Sequence, residues 1–248
     1  MRYLILSDIH ANLEAFEKCM EIAKGRYQEL LCLGDLVGYG PDPNGIVDAM
    51  QEVATVIIRG NHDKACCGIT DASDFNPMAR VSAVWTRERL STKNLAALRH
   101  LLEGPVEVAG CQLVHGSPRD EDEYVVEAIE AVPALEAASA PVVFFGHTHL
   151  QGGFMSTAER ELQVIHCGAI DEARPLTLEL EPGARYLINP GSVGQPRDRD
   201  WRAAFAILDS DKQRVEYYRT SYDVAETQKK MKKAALPEPL ITRLQFGR

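Results

Sequence analysis

Seven side chains with oxygen or imidazole donors fall in turns that follow hydrophobic runs: Asp8, His10, Asp35, Asn61, His115, His147 and His149. The turns read Asp8-Ile9-His10, Gly34-Asp35-Leu36-Val37-Gly38, Gly60-Asn61-His62-Asp63, His115-Gly116 and Gly146-His147-Thr148-His149. In extended chain, residues i and i+2 face the same side, so Asp8 and His10 can reach one point, as can His147 and His149. One transition metal needs fewer donors than this. Seven donors with one shared carboxylate fit two ions roughly 3.5–4 Å apart, the arrangement of two-metal hydrolytic chemistry at phosphorus. Imidazole and carboxylate without thiolate suit manganese, iron or zinc, manganese being favoured, better than they suit magnesium or calcium. A lone strand-end histidine is more often an ordinary hydrogen-bonded loop residue. Here five of the seven histidines (His10, His62, His115, His147, His149) sit in the motif turns, which reverses that expectation. Of the other two, His100 reads as a surface residue on a helix, and His166 as a packed residue or one supporting a ligand.

These turns need a scaffold that delivers strand ends to one place. Residues 2–7, 30–33 and 54–58 read as buried strands, alternating with helices at 12–24 and 45–52. Asn44 is placed to cap the second helix. Strands alternating with helices indicate parallel βαβ units and an α/β class, and ligands in such sheets gather beyond the carboxyl ends of the strands. Residues 64–103 carry no strand pattern. They predict helices at 78–90 and 92–102, a helical insertion expected to cap the site partly because it leaves directly from the Asn61-His62 turn. Strands follow at 105–109, 111–115 and 142–145. Three hairpins are expected next: 153–156 with 162–167, 176–180 with 186–189, and 203–208 with 214–219. A helix at about 224–235 closes the chain, and its lysines 229, 230, 232 and 233 read as a solvated face. Without repeats or linkers, residues 1–248 are expected to form a single domain.

Composition bounds the function. The 248 residues carry 27 Lys+Arg against 36 Asp+Glu, a formal charge of -9, with 45% hydrophobic residues. That is the balance of a folded globular protein. The acidic sign argues against long nucleic acid and anionic membrane as partners, though not against a small anion in a local positive site. The opening run Met1–Ser7 is too short for a signal-peptide core, and no stretch approaches the roughly 20 apolar residues of a membrane span. The six cysteines form no CxxC pair and read as reduced thiols of a cytoplasmic protein. Cys66-Cys67 is the one pair adjacent enough to suggest an extra metal or redox site. Nothing in the sequence sets an oligomeric state.

The five motifs, in order over residues 4–195, resemble the calcineurin-like metallophosphoesterase superfamily. The loop Asn189-Pro190-Gly191-Ser192 is similar to its compact bacterial phosphodiesterase-type branch. The resemblance implies an αββα sandwich of two mixed sheets flanked by helices. It implies that Asp8, His10 and His149 hold one metal, that Asn61, His115 and His147 hold the other, and that Asp35 bridges them. A hydroxide between the metals would be the nucleophile, and His62 the general acid for the leaving group. The activity implied is hydrolysis of small phosphate esters, foremost diesters or nucleotide-like molecules. Phosphomonoester and dinucleoside polyphosphate hydrolysis are the neighbouring readings. A non-catalytic scaffold would have lost ligands and His62, which this chain retains.

One departure matters. The phosphoprotein-phosphatase branch continues its second motif into Asp-Arg-Gly, where this chain has Gly38, Tyr39 and Gly40. The carboxylate partner of the catalytic histidine and the arginine clamp are therefore missing. Arg197 and Tyr39 are the candidates for holding phosphate instead.

Overall fold

The computed structural model describes all 248 residues. The chain opens with strand β1 (Arg2–Leu6), helix α1 (Leu13–Ala23), β2 (Glu29–Cys32), α2 (Pro43–Val53) and β3 (Val56–Ile57). Next come α3 (Asn61–Cys67), α4 (Pro77–Arg89), α5 (Thr92–Arg99), β4 (Val106–Val108), β5 (Cys111–Leu113), α6 (Ala128–Ala137) and β6 (Val142–Phe144). The remainder is β7 (Gly152–Ser156), β8 (Leu162–His166), β9 (Leu176–Glu179), β10 (Arg185–Asn189), β11 (Ala203–Asp209), β12 (Arg214–Thr220), α7 (Val224–Lys233) and α8 (Glu238–Arg243).

Two six-stranded mixed sheets result, ordered β3-β2-β1-β11-β12-β9 and β4-β5-β6-β10-β7-β8. Strand alternation sorts side chains between three cores. Tyr3 and Ile5 of β1, Phe144 of β6, Tyr186 and Ile188 of β10 and Tyr217 of β12 meet between the sheets. Leu4 and Leu6 point the other way, against Phe16 and Cys19 of α1 and Ile46 and Met50 of α2. Val143 and Leu187 pack outward against Ala131, Ala134 and Leu135 of α6. The layers are therefore helix, sheet, sheet, helix, the αββα sandwich expected. No helix is long and apolar enough to cross a membrane.

The strand order decides where the motifs go. β1, β2 and β3 are parallel neighbours, with Leu4 opposite Leu30 and Leu31 opposite Val56. β5, β6 and β10 are parallel neighbours in the second sheet, with Leu113 opposite Phe144 and Phe144 opposite Ile188. Each of these six strands runs out at its carboxyl end into one of the motif turns or into Asn189–Ser192.

Four expectations are corrected. The hairpin of 176–180 with 186–189 does not form: β9 pairs with β12 in the first sheet, whereas β10 lies between β6 and β7 in the second. Burial explains the split, because Tyr186, Leu187 and Ile188 are apolar on both faces and need a central position, while β9 is mostly exposed at a sheet edge. Residues 61–67 form a helix rather than a turn, with Asp63 Oδ2 accepting from Gly60 N at 3.0 Å across its first turn. The second helix starts at Pro43 after Asp42, and Asn44 instead bonds Arg89 O at 2.8 Å and Ser91 N at 2.9 Å, tying α2 to the α4–α5 corner. His166 is exposed on the edge strand β8, not packed. Helices α6 and α8 lie where no element was expected. Cys66 and Cys67, the last two residues of α3, are buried in the core and belong to no group of metal donors.

Candidate metal centre

The loops after the parallel strands bring all seven donors to one buried place. Donor atoms of Asp8, His10, Asp35 and His149 lie within 4.8 Å of one another, and so do those of Asp35, His115 and His147. Asn61 Oδ1 joins the second group 3.3 Å from His115 Nε2. Asp35 belongs to both.

Each carboxylate has one oxygen tied to protein and one free. Asp8 Oδ2 accepts from Ser7 Oγ at 2.7 Å and from His147 N at 3.2 Å. Its Oδ1 has no hydrogen-bond partner and stands 3.3 Å from His149 Nε2. Asp35 Oδ1 accepts from His62 N at 2.8 Å. Its Oδ2 has no partner and lies between the two groups, 3.6 Å from His10 Nε2 and 3.5 Å from His115 Nε2.

The imidazoles are arranged likewise. The Nδ1 atoms of His10, His149 and His115 face the carbonyls of Val37 (3.1 Å), Gln195 (2.6 Å) and Leu33 (2.7 Å). Those contacts put the proton on Nδ1 and turn the Nε2 lone pairs inward. His10 Nε2 and His149 Nε2 then meet at 3.1 Å, lone pair against lone pair. His147 Nε2 is buried without a partner. Such a convergence of acceptors is unfavourable alone and suits divalent cations, so the residues present fit the ions that the donor set implies.

Titration follows the same geometry. Burial holds His10, His147 and His149 well below the usual imidazole range, which keeps them neutral, the form able to bind a cation. Burial pushes Asp8 up to about 6. Burial also disfavours a charged His115, but Asp35 and Asp8 outweigh it and raise that imidazole to about 10, so without an ion its Nε2 carries a proton toward Asp35 that a bound cation would displace. Asp35 is held well below the carboxylate range because His115 and His62 overcome its burial.

The backbone is strained to achieve this. Asp8, His10, Asp35, His147 and His149 all have positive φ, between 50° and 65°. Such conformations cost on the order of 1–3 kcal/mol each in a non-glycine residue and persist only where surrounding structure enforces them. Here Asp8 N donates to Gly34 O at 3.1 Å and His10 N to Asp35 O at 3.0 Å, locking the two loops together. Gly60 is required because a Cβ there would collide with the Asp35 carboxylate.

Residues 1–213 match the description "Calcineurin-like phosphoesterase superfamily domain". The chain belongs to this superfamily. A calcineurin-like phosphoesterase is a hydrolase acting on phosphate esters, and the two donor groups sharing Asp35 are consistent with a divalent-metal site. The solved metallophosphoesterase of Sphaerobacter thermophilus is 39% identical with a TM-score of 0.84, covering 100% of this chain and 99% of its own. An uncharacterized protein of Methanocaldococcus jannaschii is 32% identical over 251 aligned positions, 98% of this chain and 97% of that protein. Phosphodiesterase YfcE of Escherichia coli is 25% identical, over 85% of this chain and 89% of its own.

In this calcineurin-like phosphoesterase, Tyr39 and His62 line the mouth of the donor cluster. Their rings are 4.4 Å apart, and His62 also packs against Phe75 at 4.6 Å. His62 Nδ1 is buried without a partner beside Gly38, where a Cβ would come within 2.5 Å, so no carboxylate orients it. Burial lowers His62 to about 4; Asp35 opposes the shift, and Arg197, His115 and Arg243 add to it. Arg197 Nη2 approaches Tyr39 Oη at 3.4 Å, so the two candidate phosphate contacts sit side by side.

Several functional supports escaped the sequence. Ser192 Oγ donates to Asp8 O at 2.8 Å, and Asn189 Nδ2 donates to Gly146 O and Thr148 Oγ1, both at 3.0 Å, so the late loop braces two motifs. The Tyr124 ring lies tilted against His147, their centroids 3.8 Å apart. Arg243 reaches the same mouth from α8, and only its position on a terminal segment of mixed polarity could have hinted at it.

Proposed function

We propose that this protein is a dinuclear metal-dependent phosphodiesterase acting on small or nucleotide-like esters. Asp8, His10 and His149 would hold one divalent ion, Asn61, His115 and His147 the other, with Asp35 between them. The ions, manganese foremost, would supply Lewis acidity toward a phosphoryl oxygen and acidify a water molecule. The observation that carries the reading is Asp35 Oδ2, buried, unpartnered and within 3.6 Å of imidazoles from both donor groups.

The chain's own residues supply the rest. His62, at the mouth, donates to the leaving oxygen. Burial keeps it neutral in the free protein, so an incoming phosphate anion raises its proton affinity at the point where donation is needed. Arg197 and Tyr39 meet the non-bridging oxygens. A cavity of about 480 Å³ opens beside His62 and His147, lined by Tyr39, Phe75, Tyr124 and Asn76. Its aromatic walls and polar rim suit a base, a phenyl ring or a sugar on the alcohol side of the ester. The rim comes from the stretch joining α3 to α4, so the insertion 64–103 serves as a partial cap.

The test is hydrolysis of bis-p-nitrophenyl phosphate against p-nitrophenyl phosphate by the manganese-loaded protein. The diester is the expected preferred substrate, and turnover of neither with metals bound contradicts the reading. His62→Asn is expected to lower kcat by about 10²–10⁴-fold with metal content unchanged. Loss of metal in that variant would assign His62 to the metal centre rather than to the leaving group.

A further inference from the structure

Arg197, in the loop after β10, and Arg243, in the last turn of α8, lean over the same ring. Their guanidinium carbons are 5.8 and 5.1 Å from the centre of Tyr39. Both donate to Gln195 Oε1, Arg197 at 3.2 Å. With Tyr39 Oη, that makes two neutral side-chain acceptors for two complete sets of guanidinium donors. The Nε of each is buried without a partner. Arg59 and Arg219, by contrast, pair with the carboxylates of Glu121 and Asp198, and Arg87, Arg99 and Arg185 donate to backbone carbonyls away from the donor cluster. Two cations gathered on one amide oxygen repel each other, and burial followed by the charge of Arg197 lowers Arg243 to about 10. The ring that both overlie stands 4.7 Å from His10 and 4.4 Å from His62, so the two guanidiniums border the donor cluster.

We propose that Arg197 and Arg243 form a clamp for a phosphate oxyanion, with Arg243 a substrate-binding residue supplied by α8. The proposal rests on the phosphoesterase reading and deepens it by naming what holds the anion where the Asp-Arg-Gly run is absent. Planar guanidinium forks match two oxygens of one tetrahedral phosphate. Helix α8 lies beyond residues 1–213, so this half of the clamp comes from outside the matched family domain. Docking of α8 does not explain Arg243. Leu240, Ile241 and Leu244 already seat that segment against Met231 and Tyr39 in an apolar cluster.

The test uses the full-length, manganese-loaded protein with inorganic phosphate as the probe in isothermal titration calorimetry, beside steady-state hydrolysis of bis-p-nitrophenyl phosphate. Arg243→Gln is expected to weaken phosphate binding at least about tenfold. It should raise KM more than it lowers kcat and leave metal content and Tm unchanged. Arg243→Lys should recover only part of the affinity, because it restores the charge without the fork. Unchanged phosphate affinity in Arg243→Gln, metals in place, overturns the clamp and leaves Arg243 a helix-docking residue. If Arg243→Gln does not fold, wild-type phosphate affinity in Arg243→Lys overturns it equally. A wild-type protein that binds phosphate through Arg243 yet hydrolyses neither ester would uphold the clamp and sink the phosphoesterase reading.

Discussion

Asp35 divides its two oxygens between structure and chemistry. Oδ1 is held by the amide of His62, and Oδ2 is left for the space between the imidazole groups. In Asp35→Asn the amide oxygen would keep the bond to His62 N, turning the NH2 toward that space, where it would repel a cation. Bound metal is therefore expected to fall from about two ions per chain to below one by elemental analysis. A variant retaining two would refute Asp35 as the bridge. At this scale the clustering of the seven donor side chains was legible in the sequence, because Asp, Asn and His recur at the ends of apolar runs. The bracing by Ser7, Ser192 and Asn189 was not: the sequence marks the 189–192 loop by resemblance alone, and a hydroxyl or amide that braces a neighbouring motif has no pattern of its own. Arg243 was invisible for a related reason: its meaning depends on Arg197 and Tyr39, which are close to it only after folding.

The loops that carry the donor side chains depend on elements that hold them in strained conformations. Helix α3 is one such element. Asp63 accepts from Gly60 N at 3.0 Å and from Val37 N at 3.2 Å, pinning the third motif to the second. Asp63→Asn leaves one of those amides facing an NH2 group, and should cost about 1–3 kcal/mol in urea unfolding. No change in the unfolding midpoint would show that the pinning is not needed. The sequence hid α3 because Gly60-Asn61 is turn chemistry and the seven-residue helix is too short for a periodic signal. The β1–β2–β3 alternation was readable because parallel strands buried on both faces are continuous apolar runs. The separation of β9 from β10 was not readable, because a short connection favours a hairpin locally, and only the competition for a central position in the second sheet parts the two strands.

Over the whole molecule, an acidic surface encloses a site of opposite need. The formal charge is -9, yet Arg197 and Arg243 face the mouth without carboxylate partners. Cations binding the folded donor cluster and not the unfolded chain must stabilise the fold. At a free metal concentration of 100 times Kd the gain is about 2.7 kcal/mol per site. Chelation is thus expected to lower Tm by several degrees in the wild type and to leave Asp35→Asn almost unmoved, as differential scanning calorimetry would record. An equal shift in both would place the stabilising metal elsewhere. The proposed chemistry requires two ions sharing one carboxylate and acting together. Metal-free protein titrated with manganese while bis-p-nitrophenyl phosphate hydrolysis is followed tests this directly. Activity is predicted to lag over the first equivalent and level off at about two. A plateau at one equivalent, or no hydrolysis with two ions bound, would contradict it.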